Sequence, residues 1–240
     1  MRFYQSIAEY YHHIFPLSLA QRDFVINSFP GRKNEDVLDI GCGTGNLTFE
    51  LSRKFKLMVG LDLDEAMIAK AKSQYSNSNL EYRALDMLEI GNAYGENSFD
   101  GIISFGNTLV HLDSEFTILN FFKKCKFVLR EKGKFIFQII NYDRILDQKI
   151  SALATIENKH ITFKRKYSFN ALTNLIDFNT LLTIKENGRK IENTISLLPL
   201  RKSNIEKLLK EAGFADIEYF GNFNGNIHSP ESVPLIVKAV

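Results

Sequence analysis

The chain has 240 residues, with 30 lysines and arginines against 28 aspartates and glutamates and 45% hydrophobic content, enough apolar material to bury a sizeable core. That composition excludes a disordered tail, a collagen-like repeat and a disulfide-stapled miniature. A net charge of +2 argues against a duplex-binding surface or an electrostatic membrane clamp, so neither nucleic acid nor a membrane is the expected partner.

Cys42 and Cys125 are the two cysteines. Without CxxC spacing they support neither a disulfide framework nor a zinc site, and they fit a reducing, cytoplasmic setting. Met1 to Ser6 leads into polar and aromatic residues rather than a secretory signal. No run approaches the roughly 20 apolar residues of a membrane span.

Residues 1–30 are rich in aromatics (Phe3, Tyr4, Tyr10, Tyr11, Phe15, Phe24). Their spacing predicts one or two helices ended near Pro16 and Pro30-Gly31. Apolar runs at Val37 to Ile40, Leu57 to Leu61, Leu80 to Leu85, Phe99 to Phe105 and Phe135 to Ile140 then read as strands. Helical patterns lie between them at Asn46 to Lys54, Asp64 to Gln74 and Ser114 to Arg130. This alternation predicts an α/β, doubly wound fold with a mostly parallel sheet and helices on both faces.

After Ile140 the rhythm changes to three strands, Ile161 to Phe169, Leu175 to Lys185 and Lys190 to Leu198, with Glu186-Asn187-Gly188 as a turn. An antiparallel β insertion over residues 142–200 is expected. The first pattern resumes with a helix from Ser203 to Ala212 stopped by Gly213, and strands at Phe214 to Phe220 and Val233 to Val240. Residues 31–141 and 201–240 thus read as one domain, preceded by a helical cover over residues 1–30.

The most informative stretch is Val37-Leu38-Asp39-Ile40-Gly41-Cys42-Gly43-Thr44-Gly45-Asn46, a buried strand entering a glycine-dense turn and a helix. Glycines let the backbone turn sharply and approach a ligand while helix N–H groups face it. The dinucleotide fingerprint GxGxxG needs glycine where Asn46 stands, so the spacing disfavours a pyrophosphate and a nicotinamide oxidoreductase. Asp62, about 20 residues downstream at the end of the next strand, is placed to accept hydrogen bonds from ribose hydroxyls.

These residues resemble the class I S-adenosylmethionine-dependent methyltransferases. The first motif is similar to VLDIGCGTG, the second to GLDLDEAMI (Gly60 to Ile68), and the likeness continues through Arg83-Ala84-Leu85-Asp86-Met87 and Phe99 to Phe105. The resemblance implies S-adenosylmethionine as cofactor and a Rossmann-like seven-stranded sheet of order 3-2-1-4-5-7-6. It implies that Asp39, Gly41 and Gly43 surround the methionine moiety, with Cys42 between them in the cofactor-binding turn; with no cationic neighbour in sequence, Cys42 reads as a small turn residue rather than a nucleophile. Asp62 would hold the ribose hydroxyls and Leu63 would pack beside adenine. Asp86 and the Met87 N–H would bind the adenine edge, Met67 would cover a ring face and the Phe105 carbonyl would receive the methionine ammonium. Taken singly, Asp62 and Asp86 also suit ordinary strand-end capping, Met67 ordinary core packing, and Lys164-Arg165-Lys166 a solvated edge with charges split between two faces.

In an open α/β sheet the ligand crevice lies beyond the strand carboxyl ends, so Gly106-Asn107-Thr108-Leu109-Val110-His111-Leu112 should border the transferable methyl. It lacks the Asp/Asn-Pro-Pro-Tyr/Phe signature of exocyclic-amine enzymes acting on nucleic acid. It is similar to the matching segment of glycine, sarcosine and sugar N-methyltransferases, which implies a small-molecule acceptor under an enclosing cover. His111 is the expected base or acceptor contact, and Asn107 a second site residue. Tyr4 and Tyr11 are expected in the cover, ordinary packing being the alternative. No metal site is expected, since His12 and His13 are adjacent rather than four apart. A non-catalytic binding module and a methyltransferase acting on tRNA or protein would share every cofactor residue.

Overall fold

The structure, a computed structural model, describes residues 2–240 and side chains from Tyr4 onward. Met1 and the side chains of Arg2 and Phe3, which the sequence groups with the leading segment, lie outside the described residues.

The N-terminal segment forms α1 (Arg2–Ile7), α2 (Tyr11–Ile14) and α3 (Leu19–Ser28). Ser18 opens α3 by accepting the Gln21 N–H. The main domain follows as β1 (Asp36–Ile40), α4 (Asn46–Ser52), β2 (Leu57–Asp62), α5 (Glu65–Gln74), β3 (Leu80–Ala84), α6 (Ile90–Ala93), β4 (Phe99–Ser104), α7 (Glu115–Val128) and β5 (Leu129–Ile140). Asp64 and Ser114 cap α5 and α7 from just outside the helices. Next come α8 (Tyr142–Asp147), β6 (Ala152–Glu157), β7 (Ile161–Asn170), β8 (Leu175–Ile184) and β9 (Lys190–Leu197). The chain closes with α9 (Lys202–Glu211), β10 (Ile217–Phe220) and β11 (Pro234–Ala239).

One sheet runs β10-β11-β5-β4-β1-β2-β3, the expected order with its last two strands renumbered. Strands β1 to β5 pair in parallel, and β11 pairs antiparallel with both β5 and β10. Alternation along each strand divides the core. Leu38, Ile102, Phe135 and Val237 join Phe121, Phe122 and Cys125 of α7 and Ile205 and Leu209 of α9. Val37, Ile103, Ile136 and Ile236 join Val25, Phe29, Leu47 and Leu51 on the α3–α4 side. Sheet burial on both faces is what near-continuous apolar strands require.

Gly101 on β4 shows how closely α3 packs. A Cβ built there would lie 2.4 Å from Cζ of Phe29, itself 1% exposed. Gly101→Ala is therefore expected to destabilise the fold by about 1 to 3 kcal/mol, the range for overpacking a filled core. A lowered urea midpoint at unchanged slope would report it.

The insertion departs from expectation in two ways. It holds four strands, ordered β6-β7-β8-β9, where three were expected, and it begins with a helix, α8, capped by Asn141 accepting from the Arg144 N–H. The ladder of β6 with β7 slips between Leu153 and Ile156, which breaks the alternation that marks a strand in sequence. Ile7 and Ile14 of the N-terminal helices pack on Ile161, Phe163, Leu182 and Ile184 of this second sheet.

Candidate functional site

The carboxyl ends of the parallel strands line a cleft, as the doubly wound topology requires. Ile40 and Gly41 come from the end of β1, Leu61 and Asp62 from β2, Leu85, Asp86 and Met87 from beyond β3, and Phe105, Gly106, Thr108 and His111 from beyond β4. Leu63, Asp64 and Met67 complete one wall, and Tyr4, Tyr11 and Gly43 another.

The glycine turn is built for close approach. Gly41 and Gly43 have φ of 75° and 55°, in the left-handed region that side-chain-bearing residues avoid. A Cβ on Gly41 would lie 2.5 Å from Thr108 Oγ1, and one on Gly43 3.0 Å from the Tyr11 ring. Asp62 braces this turn: one carboxylate oxygen accepts the Gly43 N–H at 2.8 Å and the other the Asp64 N–H at 2.9 Å. Burial pushes the Asp62 carboxyl upward against those two hydrogen bonds.

Leu63, next in sequence, is 52% exposed, leaving bare apolar surface on the cleft wall. Met67 reaches the same wall while 1% exposed, so it serves both the core and the cleft. Asp86 likewise does two things. One of its oxygens caps a short turn by accepting the Leu88 N–H at 2.9 Å, and the residue still lines the cleft.

A second chamber of about 380 Å³ adjoins the cleft. Tyr4, Tyr11, Gly41, Phe105, Gly106 and His111 line both. Asp39, Cys42 and Asn107, expected in the site, line this chamber and not the cleft. Its far walls come from Phe163, Arg165 and Tyr167 of β7, Phe178 of β8 and Leu197 of β9.

Asp39 is 4% exposed and accepts a hydrogen bond from Thr48 Oγ1 at 2.7 Å. Desolvation raises its carboxyl from an ordinary 3.8 to about 7, against the Thr48 hydrogen bond. Burial pushes the Cys42 thiol well up, and its Sγ contacts the Gly43 carbonyl at 3.8 Å; that suits a turn residue and opposes a thiolate nucleophile. The Phe105 carbonyl accepts from Thr108 Oγ1 at 2.8 Å, which leaves it one further lone pair.

Asn107 sits at φ 72°. Its amide donates to the Tyr142 hydroxyl at 3.0 Å and its oxygen accepts the Ile140 N–H at 3.0 Å, so it ties β4 to the start of α8. The Tyr4 hydroxyl lies 2.8 Å from His111 Nε2. Burial lowers the His111 pKa to about 4, which keeps the imidazole neutral at physiological pH.

The leading helices are held over the site from two sides. Lys70 of α5 donates to the carbonyls of Ala8 and Glu9 at 2.9 and 3.1 Å. From the insertion, Asn158 donates to the His13 carbonyl and Asn193 to Ser6 Oγ. Tyr142, Tyr167 and Gln138 were not singled out from the sequence, and Arg165, expected with Lys164 and Lys166 on a solvated edge, instead lines the chamber because its side chain projects to the other face of β7 from theirs. Strand alternation offered the one usable signal, for Arg165.

Comparison with known proteins bears on the chain's family and fold. A family model described as a methyltransferase domain matches residues 37–133. The chain is 30% identical over 213 residues to a glycine/sarcosine/dimethylglycine N-methyltransferase of Actinopolyspora halophila, covering 85% of this chain but 35% of that protein, so it spans about a third of that relative's length. It is 26% identical over 220 residues to a glycine/sarcosine N-methyltransferase of Aphanothece halophytica, covering 89% of this chain and 79% of the relative. Its fold superposes on an S-adenosylmethionine-dependent methyltransferase from Clostridium acetobutylicum with a TM-score of 0.80 at 20% identity, covering 98% of each chain. The ordered motifs, the methyltransferase-domain match over residues 37–133, these relatives and the shared fold together support a class I S-adenosylmethionine-dependent methyltransferase.

Proposed function

We propose that the protein transfers a methyl group from S-adenosylmethionine to a nitrogen or oxygen of a small molecule held in the second chamber. The observation that carries this reading is the shared wall. A cleft suited to a nucleoside opens past Gly41, Phe105 and His111 into a space of about 380 Å³, in the size class of small-molecule pockets. The names of the two N-methyltransferase relatives support a nitrogen acceptor.

The cleft fits the cosubstrate on its own terms. The turn excludes a Cβ at Gly41, Asp62 offers two fixed carboxylate oxygens to a ribose, and Leu63 offers apolar surface to a base. Asp39, Gly41 and Gly43 would hold the methionine end, and Met67, Asp86 and Met87 the adenine. S-adenosylmethionine supplies a methyl on a sulfonium, which an in-line nucleophile displaces at near-attack distance. The chain's work is to align the acceptor and exclude water. The N-terminal helices and the insertion form the cover, with Tyr11 against Gly43 of the turn and Tyr4 against His111.

Of the two roles open to His111, its surroundings favour acceptor contact over proton abstraction. A pKa of about 4 makes it a weak base toward an ammonium, although neutral and ready to hydrogen-bond. His111→Ala is expected to lower kcat/KM by about ten- to a hundredfold, short of the full range for losing a general base. Its affinity for S-adenosylmethionine should stay unchanged. The wild-type rate should show no limb between pH 6 and 8 from this residue. Labelled-methyl transfer across a panel of small amines and alcohols tests the reading. Turnover supports it, and tight cosubstrate binding with no turnover would favour a binding module instead.

A further inference from the structure

Along β7 the side chains alternate. Phe163, Arg165 and Tyr167 line the second chamber, while Lys164 and Lys166 are exposed on the opposite face. Among the described residues of the chamber wall, Arg165 alone is a lysine or arginine.

Its guanidinium is mounted rather than free. Nη2 donates to the Ala154 carbonyl at 2.7 Å, and Ala154 lies where the β6–β7 ladder slips, which leaves a backbone carbonyl open to a side chain. Nε is sealed from solvent with no hydrogen-bond partner. No carboxylate pairs with Arg165 among the described ion pairs. Desolvation pulls its pKa down, the response of a cation that has lost water without gaining a counter-ion. A half-buried, unpaired charge is unfavourable unless something that enters the site completes it.

We infer that Arg165 anchors a carboxylate on the methyl acceptor, so that the chamber takes a small molecule with one carboxylate on an apolar body. This rests on the methyl-transfer reading and names its substrate class. A planar guanidinium fork matches a planar carboxylate, with two parallel hydrogen bonds available. Asp39, the carboxylate on the same chamber wall, is assigned to the methionine end of the cosubstrate, so the single positive charge of Arg165 is left to balance one negative charge on the acceptor. A phosphate dianion would remain undercompensated, since Lys164 and Lys166 point away. The surrounding Phe163, Tyr167 and Phe178 suit the apolar body.

The test is calorimetry on the full chain saturated with S-adenosylhomocysteine, titrated with benzoate, phenylacetate and anthranilate, with their carboxamides and with phenyl phosphate. The acids should bind at least about tenfold more tightly than their amides, the value of one hydrogen-bonded charge. Arg165→Gln should abolish that preference and Arg165→Lys retain part of it. Both variants should bind S-adenosylhomocysteine like the wild type, which also confirms that they fold. Acids binding no tighter than amides, a preference that survives Arg165→Gln, or tighter binding of phenyl phosphate than of the acids would each overturn the assignment. Failure of the wild type to bind S-adenosylhomocysteine would overturn the methyl-transfer reading beneath it, and the inference with it.

Discussion

Asp62→Ala is expected to weaken S-adenosylmethionine binding by about ten- to a hundredfold, the equivalent of about 1 to 3 kcal/mol for hydrogen bonds to a charged acceptor. Two losses combine. The carboxylate is the proposed partner of both ribose hydroxyls, and it also fixes the glycine turn through the Gly43 N–H at 2.8 Å. Asn is no remedy at this position. Both carboxylate oxygens face backbone donors, from Gly43 and Asp64, so an amide NH2 would turn a donor toward a donor whichever way it is placed. Removing Asp62 also relieves a carboxyl that burial holds above its usual range, so the unliganded melting temperature understates the damage. The rise in melting temperature with added ligand is the proper readout. An unchanged ligand-induced rise in Asp62→Ala would remove the ribose assignment.

Asp39→Asn is expected to do the reverse to the unliganded protein and stabilise it above neutral pH. The folded carboxyl has a pKa raised from 3.8 to about 7. Between those values the folded state keeps a proton that the unfolded state has released, so this residue erodes stability as pH rises across that window. Above about pH 7 the erosion is complete, and the gap corresponds to at most about 4 kcal/mol. The amide avoids it while still accepting from Thr48. The variant should therefore melt up to about 10 °C higher than the wild type at pH 8, with the difference vanishing near pH 4.

The same residue should make cosubstrate binding pH-dependent. A cationic ligand beside Asp39 favours its ionised form, so wild-type affinity should climb by up to about tenfold per pH unit below 7. Asp39→Asn should show weaker binding with no such slope. Equal melting temperatures at pH 8, or a flat wild-type affinity profile, would show that Asp39 carries no such burden.

The part of the site written in contiguous sequence could be read directly, because a strand, a glycine turn and a helix N-terminus are local events. Gly41, Gly43, Asp62 and Leu63 lie where the motif order puts them, on the cleft wall. The seven-stranded order also emerged as expected. What escaped was set by distant pairings. The Tyr4–His111 contact joins residues 107 apart, and no local pattern encodes it. Strand β6 was missed because its slipped ladder spoils the two-residue alternation, and α8 because six residues make too short a helical pattern. For Arg165, alternation correctly separated it from Lys164 and Lys166. It could not reveal that the face it shares with Phe163 and Tyr167 looks into a chamber. Asp86 was read as either a cap or a ligand contact; its geometry accommodates both.

The most direct check on the whole account is a crystal structure of the protein with S-adenosylhomocysteine. The ribose hydroxyls should lie on Asp62, the adenine beside Leu63, and the sulfur facing the chamber between Gly41 and His111. Crystals in which the nucleoside is absent from that cleft, or is bound elsewhere on the chain at full occupancy, would contradict it.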